Sequence, residues 1–132
     1  MKKLVLGLLA IASVMAFMTI SKSLRQAEVV TLFTRDARGR EYQTELWIVE
    51  DRRTLWLRGE WPDSDWLKRL VKVPEVRLER NGELRAYRAV VLPKQRPRVN
   101  RLMAERYGWI DRLAGLFRNR DTAAPIRLSP RR

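Results

Sequence analysis

The chain has no cysteine and no histidine. The first absence removes disulfides and thiol nucleophiles. The second removes Ser-His-Asp hydrolysis, His-ligated haem and, with the first, the usual Cys/His zinc sites, so no metal centre is expected. Glycine is scarce as well: six residues, spread singly, form neither a GxGxxG nor a GxxxxGK[ST] phosphate loop, which argues against the common nucleotide-binding folds. Acidic residues are few, 15 against 28 Lys and Arg, giving a formal charge of +13 and a pI near 11.3. Such a field favours an anionic partner: nucleic acid, a lipid surface or a phosphorylated small molecule. At 132 residues there is room for one small domain, and no internal repeat or low-complexity tract divides it. Any chemistry must come from a cofactor or from Asp, Glu, Lys, Arg, Tyr and Ser.

What the sequence does have is a run without charge. Leu4 to Ile20 is 17 residues long, preceded by Lys2-Lys3 and followed by Lys22. As a helix it spans roughly 25 Å, a little short of a ~30 Å hydrocarbon core, with Lys3 and Lys22 able to snorkel over the difference. Three assignments are open: an uncleaved single-pass anchor, a cleaved secretory signal, and a buried core helix. The best cleavage site, Val14-Met15-Ala16, is poor because the apolar run continues through Phe17, Met18 and Ile20, which favours the anchor. Lys22, Arg25, Arg35, Arg38 and Arg40 outnumber Lys2 and Lys3 and lean towards a cytoplasmic domain; the periplasm is the alternative if the segment is cleaved. The first 23 residues carry three lysines and no acid, so the anchor does not explain the basic character of the rest.

Beyond it, Glu28 to Thr34 is β-branched and apolar, and Arg35 to Gly39 is turn-like. Arg40 to Glu50 alternates, with Tyr42, Thr44, Leu46 and Ile48 on one face and Gln43, Glu45, Trp47 and Val49 on the other. After a turn at Asp51 to Arg53, Thr54 to Arg58 completes a three-stranded meander. Asp63 or Ser64 can cap a helix that buries Trp66, Leu67, Leu70 and Val71, leaves Lys68, Arg69 and Lys72 to water, and ends before Pro74. Asn81-Gly82 joins the strands 75–80 and 83–92 in a two-residue hairpin. Pro93 to Pro97 reads as a basic loop. Val99 to Phe117 keeps helical spacing with a break at Gly108, and a last strand lies around Ala124 to Leu128. Short antiparallel strands with few helices between them predict a small closed or partly closed barrel.

Arg35, Arg38, Arg40 and Arg58 gather around the first turns, with Trp56, Trp61 and Trp66 near them in sequence. Guanidinium forks grip phosphate and indoles stack on flat rings; the same residues also suit a barrel with tryptophan core and arginine rim. The order of motifs, Thr34 to Leu46, then Ser64 to Val76 with Trp66 on its helix and Pro74-Glu75-Val76 at the strand entry, then Ala124 to Pro130, resembles the deazaflavin-dependent nitroreductases. These are split β-barrel proteins related to the pyridoxamine-phosphate-oxidase-like flavin binders. The resemblance covers residues 28 to 130 and implies three segments: an anchor over 1–23, a split-barrel domain of about six antiparallel strands and two or three short helices over 24–130, and a basic tail at 131–132.

It implies further that a deazaflavin of the F420 type, or FMN, lies near Arg38, Gly39, Thr44, Trp56, Arg58, Gly59 and Trp66, and that the cofactor supplies the hydride chemistry. Of the family's aromatic hydroxyls only Tyr107 remains as a catalytic candidate, since Ile110 and Leu113 occupy the other positions. The implied function is a membrane-tethered oxidoreductase that reduces a quinone or nitroaromatic acceptor, with pairing into a homodimer through the sheets. The alternative reading is a non-catalytic basic module that binds anionic lipid or a protein at the membrane. Nucleic acid is not expected, because no recognised motif is present.

Overall fold

A computed structural model describes the backbone of every residue except Ala27 and the side chains of all except residues 20–27. The domain boundary expected after residue 23 and the flanking roles of Lys22 and Arg25 therefore lie outside the described side chains. A helix, α1 (Lys2–Gln26), is followed by strands β1 (Val29–Arg35), β2 (Glu41–Asp51) and β3 (Thr54–Gly59) and a second helix, α2 (Asp65–Lys72). The hairpin β4 (Glu75–Arg80) and β5 (Glu83–Val91) leads through a 3-10 turn at Pro93–Gln95 into α3 (Arg96–Tyr107) and α4 (Trp109–Gly115), and β6 (Ala124–Pro130) follows. Lys2 to Thr19 of α1 is apolar and long enough to cross a membrane, and none of it is buried among the described residues.

The six strands are antiparallel and close into a barrel in the order β1-β2-β3-β6-β5-β4. Tight turns set the register. Arg52 and Arg53 between β2 and β3, and Asn81 and Gly82 between β4 and β5, all have positive φ, the geometry whose twist matches paired strands. The inner face of the barrel is apolar: Val30, Leu32, Ile48, Leu57, Leu78 and Ile126 are all almost fully buried. Leu67 and Leu70 of α2 join that core. A second cluster lies outside the barrel wall, where α3 lays Val99, Met103 and Tyr107 over Val49 and Trp56.

β2 changes partners along its length. Glu41 to Trp47 pair with β1, while Ile48 to Asp51 pair with β3. Past the Ile48–Leu57 pair, β2 and β3 splay apart: β2 stays with β1, and β3 continues beside β6, where Arg58 faces Pro125 and Gly59 faces Ala124. The barrel is split along this line.

Several local expectations need correction. Val71 is 63 % exposed, because an eight-residue helix buries only the Leu67 and Leu70 side. Ser64 stands at the N-cap position of α2, yet its hydroxyl donates to the Trp61 carbonyl at 2.7 Å and closes the preceding turn instead of capping the helix. α3 begins at Arg96 within the expected loop, since Pro97 sits in the first turn, where its missing N–H costs nothing. Leu113 and Phe117 were expected to continue the apolar helix face, but the break at Gly108 swings them outward, to 50 % and 81 % exposed.

Candidate functional site

The split holds a cleft of about 550 Å³, the size class of small-molecule and cofactor sites. Thr44, Glu45, Leu46 and Trp47 of β2 form one wall; Arg58, Glu60, Trp61, Ser64 and Trp66 form the other. Both walls follow from the splay. Side chains alternate across a strand, so the open edge of β2 presents Thr44 and Leu46 from the inner face and Glu45 and Trp47 from the outer one. With no strand beside them, the N–H and C=O groups on that edge are also available to a ligand. Three indoles, Trp47, Trp61 and Trp66, border the space. Trp66 packs against the barrel core and Trp61 is half exposed.

Of the residues singled out in the sequence, Thr44, Arg58 and Trp66 meet at this cleft. Arg58 is nonetheless heavily committed. Its side chain is 2 % exposed and pairs with Asp111 of α4, while its Nε donates to Glu60 at 3.0 Å and Nη1 to Asn100 at 3.3 Å. Arg120 reaches Glu60 at 3.1 Å and Asp111 at 3.0 Å, and Arg118 reaches Glu60 at 3.5 Å. Three guanidiniums share two carboxylates, leaving one positive charge in excess, and fasten α4 and the following loop to the end of β3. Gly59 is needed for closeness: a Cβ there would stand 3.3 Å from Leu67 and 3.4 Å from Ala124.

Trp56 is not on the cleft. It faces outward from β3 and is buried beneath α3, with Arg98 over its ring at 5.7 Å. Tyr107 lies behind the wall. Its ring stacks on Trp47 with centroids 4.8 Å apart, and its hydroxyl reaches the Ile48 and Glu28 carbonyls. Burial pushes its pKa above the ordinary phenol value, so at neutral pH it is a fixed neutral donor that holds Trp47 in place.

Arg38 lies in a second, adjoining hollow of about 350 Å³. Its lining includes Tyr42, which is two residues from Thr44 on the same face of β2, so the hollow and the cleft adjoin along that strand, roughly 7 Å apart. Arg35, Arg38, Lys68, Arg69 and Lys72 surround it, with Asp36 and Asp65. Asp36 is turned to the hairpin. Partial desolvation pushes its pKa up, but hydrogen bonds from the Arg40 and Arg38 N–H groups and the Tyr42 hydroxyl outweigh this and hold it below the usual carboxylate value. Arg69 lies over the Tyr42 ring at 4.1 Å and donates to Thr34 at 3.0 Å. Among the described residues, Arg38, Lys68 and Lys72 enter no salt bridge. Gly39, with φ of 81°, completes the turn that presents Arg38.

Sequence reasoning left Lys68 and Lys72 as solvated and put Trp47 on a strand face without assigning it to the site. The i, i+4 spacing of the two lysines, opposite buried Leu67 and Leu70, is the signal that would have found them.

No protein-family model matches the chain, and no curated protein matches it significantly. Solved structures do. The heme storage protein HutZ from Vibrio cholerae is 20% identical with a TM-score of 0.64, over 86% of this chain and 89% of its own. An F420-H2-dependent reductase is 16% identical with a TM-score of 0.63, over 77% and 94%. A conserved hypothetical protein from Mycobacterium tuberculosis is 20% identical with a TM-score of 0.59, over 87% and 80%. With its six-stranded closed barrel, the chain has the split β-barrel fold shared by F420-dependent reductases and pyridoxamine-phosphate-oxidase-like proteins.

Proposed function

We propose that the chain is a membrane-tethered oxidoreductase of the nitroreductase or quinone-reductase type that binds FMN or an F420-type deazaflavin in the split of its barrel. The observation that carries this reading is an indole-bordered cleft beside a hollow in which five cations outnumber two carboxylates. A flat ring suits the first and a phosphate the second. Thr44, Trp61 and Trp66 would hold the ring, and Arg38, Lys68 and Lys72 the phosphate. Arg58 and Trp56 are left out of the ligand set, because one is consumed by Asp111 and Glu60 and the other is covered by α3. When bound, the cofactor supplies hydride chemistry to an acceptor such as a quinone or nitroaromatic. In this reading residues 1–23 anchor the domain formed by 24–130, and α1 supplies a helix of suitable length and composition. HutZ stores heme, but this chain has no histidine to ligate it.

The test is a fluorescence titration of FMN and of an F420-type deazaflavin into the full-length protein in detergent. Binding tighter than about millimolar is expected for at least one of them. Trp66→Ala should weaken it about tenfold, the loss of one stacking contact of roughly 1–1.5 kcal/mol. If neither cofactor binds below about millimolar, the oxidoreductase reading fails and the basic binding module replaces it.

A further inference from the structure

The mouth of the cleft is apolar on the outside. Ala114 and Arg118 lie on its wall, and the side chains between and beside them, Leu113, Leu116 and Phe117, are 50 %, 75 % and 81 % exposed. Trp61 at 51 % and Val29 at 52 % line the same cleft. A single exposed leucine means little, but five large apolar side chains around one opening make a patch that calls for a partner. Exposed Arg112 and the cleft-wall Arg118 stand among them, an arrangement of cations beside apolar tips that fits the boundary between lipid phosphates and acyl chains.

The chain itself brings this patch near a bilayer. Val29 is three residues beyond Gln26, the last residue of α1. Whatever path the link takes, three Cα steps span no more than about 11 Å. Resting on the reading of α1 as a membrane anchor, we infer that Trp61, Leu113, Leu116 and Phe117 dip into the headgroup region of a lipid bilayer, with Arg112 and Arg118 at the level of the lipid phosphates. The lip of the cleft is then a second, interfacial contact beside the anchor. A ligand with an apolar tail passes between bilayer and cleft without crossing water. The β1–β2 hairpin points the other way, because β1 carries the chain about 20 Å from Val29 to Arg35.

Because the chain lacks cysteine, one introduced thiol can be labelled at a chosen position. Full-length Leu116→Cys, Phe117→Cys, Val14→Cys and Ala37→Cys variants carry an environment-sensitive dye and are reconstituted in phosphatidylcholine–phosphatidylglycerol vesicles containing nitroxide-labelled lipid. Val14 reports on the anchor and Ala37 on the far hairpin. Lipid quenching at positions 116 and 117 several-fold above that at 37, approaching that at 14, is the expected result. Quenching at 14 but not at 116 or 117 overturns the docking surface and leaves the anchor standing. If position 14 also escapes lipid, the anchor reading fails and this inference falls with it. A label at 116 shielded from both lipid and aqueous iodide means that a second copy covers the patch, which overturns the inference too.

Discussion

Two arginine-rich places lie on this barrel, one on the cleft wall and one in the neighbouring hollow, and they differ in what faces the cations. Around Arg58, three guanidiniums meet two carboxylates at salt-bridge distance, and the central side chain is buried. Around Arg38, five cations share a hollow with two carboxylates, one of which is spent on its own hairpin turn. The first is a fastening; the second keeps Arg38, Lys68 and Lys72 out of salt bridges among the described residues, the condition an anion site requires. A positive charge is therefore informative about ligands only after its internal counter-charges have been subtracted.

The sharpest way to break this contrast is to remove the counter-charge. Asp111→Ala leaves Arg58 buried with Glu60 as its one carboxylate partner and should destabilise the fold by about 3–5 kcal/mol, as a lower midpoint in urea unfolding, whereas Lys72→Ala should change it by less than about 0.5 kcal/mol. Equal effects would erase the distinction between the two clusters. Next in size is binding: Arg38→Ala with Lys68→Ala should cost about 1.5–3 kcal/mol of affinity for a phosphorylated cofactor, roughly ten- to a hundredfold by titration, with little change in the unfolding midpoint. Tyr107→Phe should cost about 1 kcal/mol of stability, the worth of one hydrogen bond, and leave the pH profile of any turnover unchanged, because the hydroxyl braces Trp47 from behind the wall. A profile that moved would restore it as a catalytic candidate.

The smallest effect is the response to acid at the Arg38 end. The Arg77 guanidinium holds the Glu41 carboxyl below its ordinary value of 4.5, and Asp36 is held below 3.8. Both folded values are depressed, so their contribution is complete above the ordinary carboxylate range and is lost as pH falls from that range through the lower folded values. Glu41→Gln should flatten the dependence of the thermal midpoint between about pH 5 and about pH 3, modestly, since these groups are close to solvent.

The barrel could be read from the sequence because its rules are local. Alternation put Leu46 and Ile48 on one face of β2, Asn81-Gly82 fixed a register, and Gly108 broke a helix. The site could not be read in the same way. Arg58 and Arg38 look alike along the chain, and what separates them is Asp111, 53 residues beyond Arg58. Trp56 and Trp66 likewise look alike, yet an even step from Thr54 turns Trp56 outward under α3 while Trp66 rides a helix to the cleft. The cleft itself exists only because β2 leaves β3 at Ile48, a departure that no single strand encodes. One trace was present: the stretch from Trp109 to Phe117 is apolar apart from Asp111 and Arg112, and its single carboxylate asks for a cation.

Where β2 parts from β3, seven residues of strand run on with a neighbour on one side only. An unpaired strand edge is a template on which any extended segment can crystallise, and proteins usually guard it with charge. Glu41 and Glu45 stand on this one, as sparse sentries in a chain so short of acid. The opening that admits a flat ligand is thus also where the molecule is most open to mispairing with its own copies. A ligand seated there would act as a plug as well as a reagent, making the loaded protein the more soluble of the two forms.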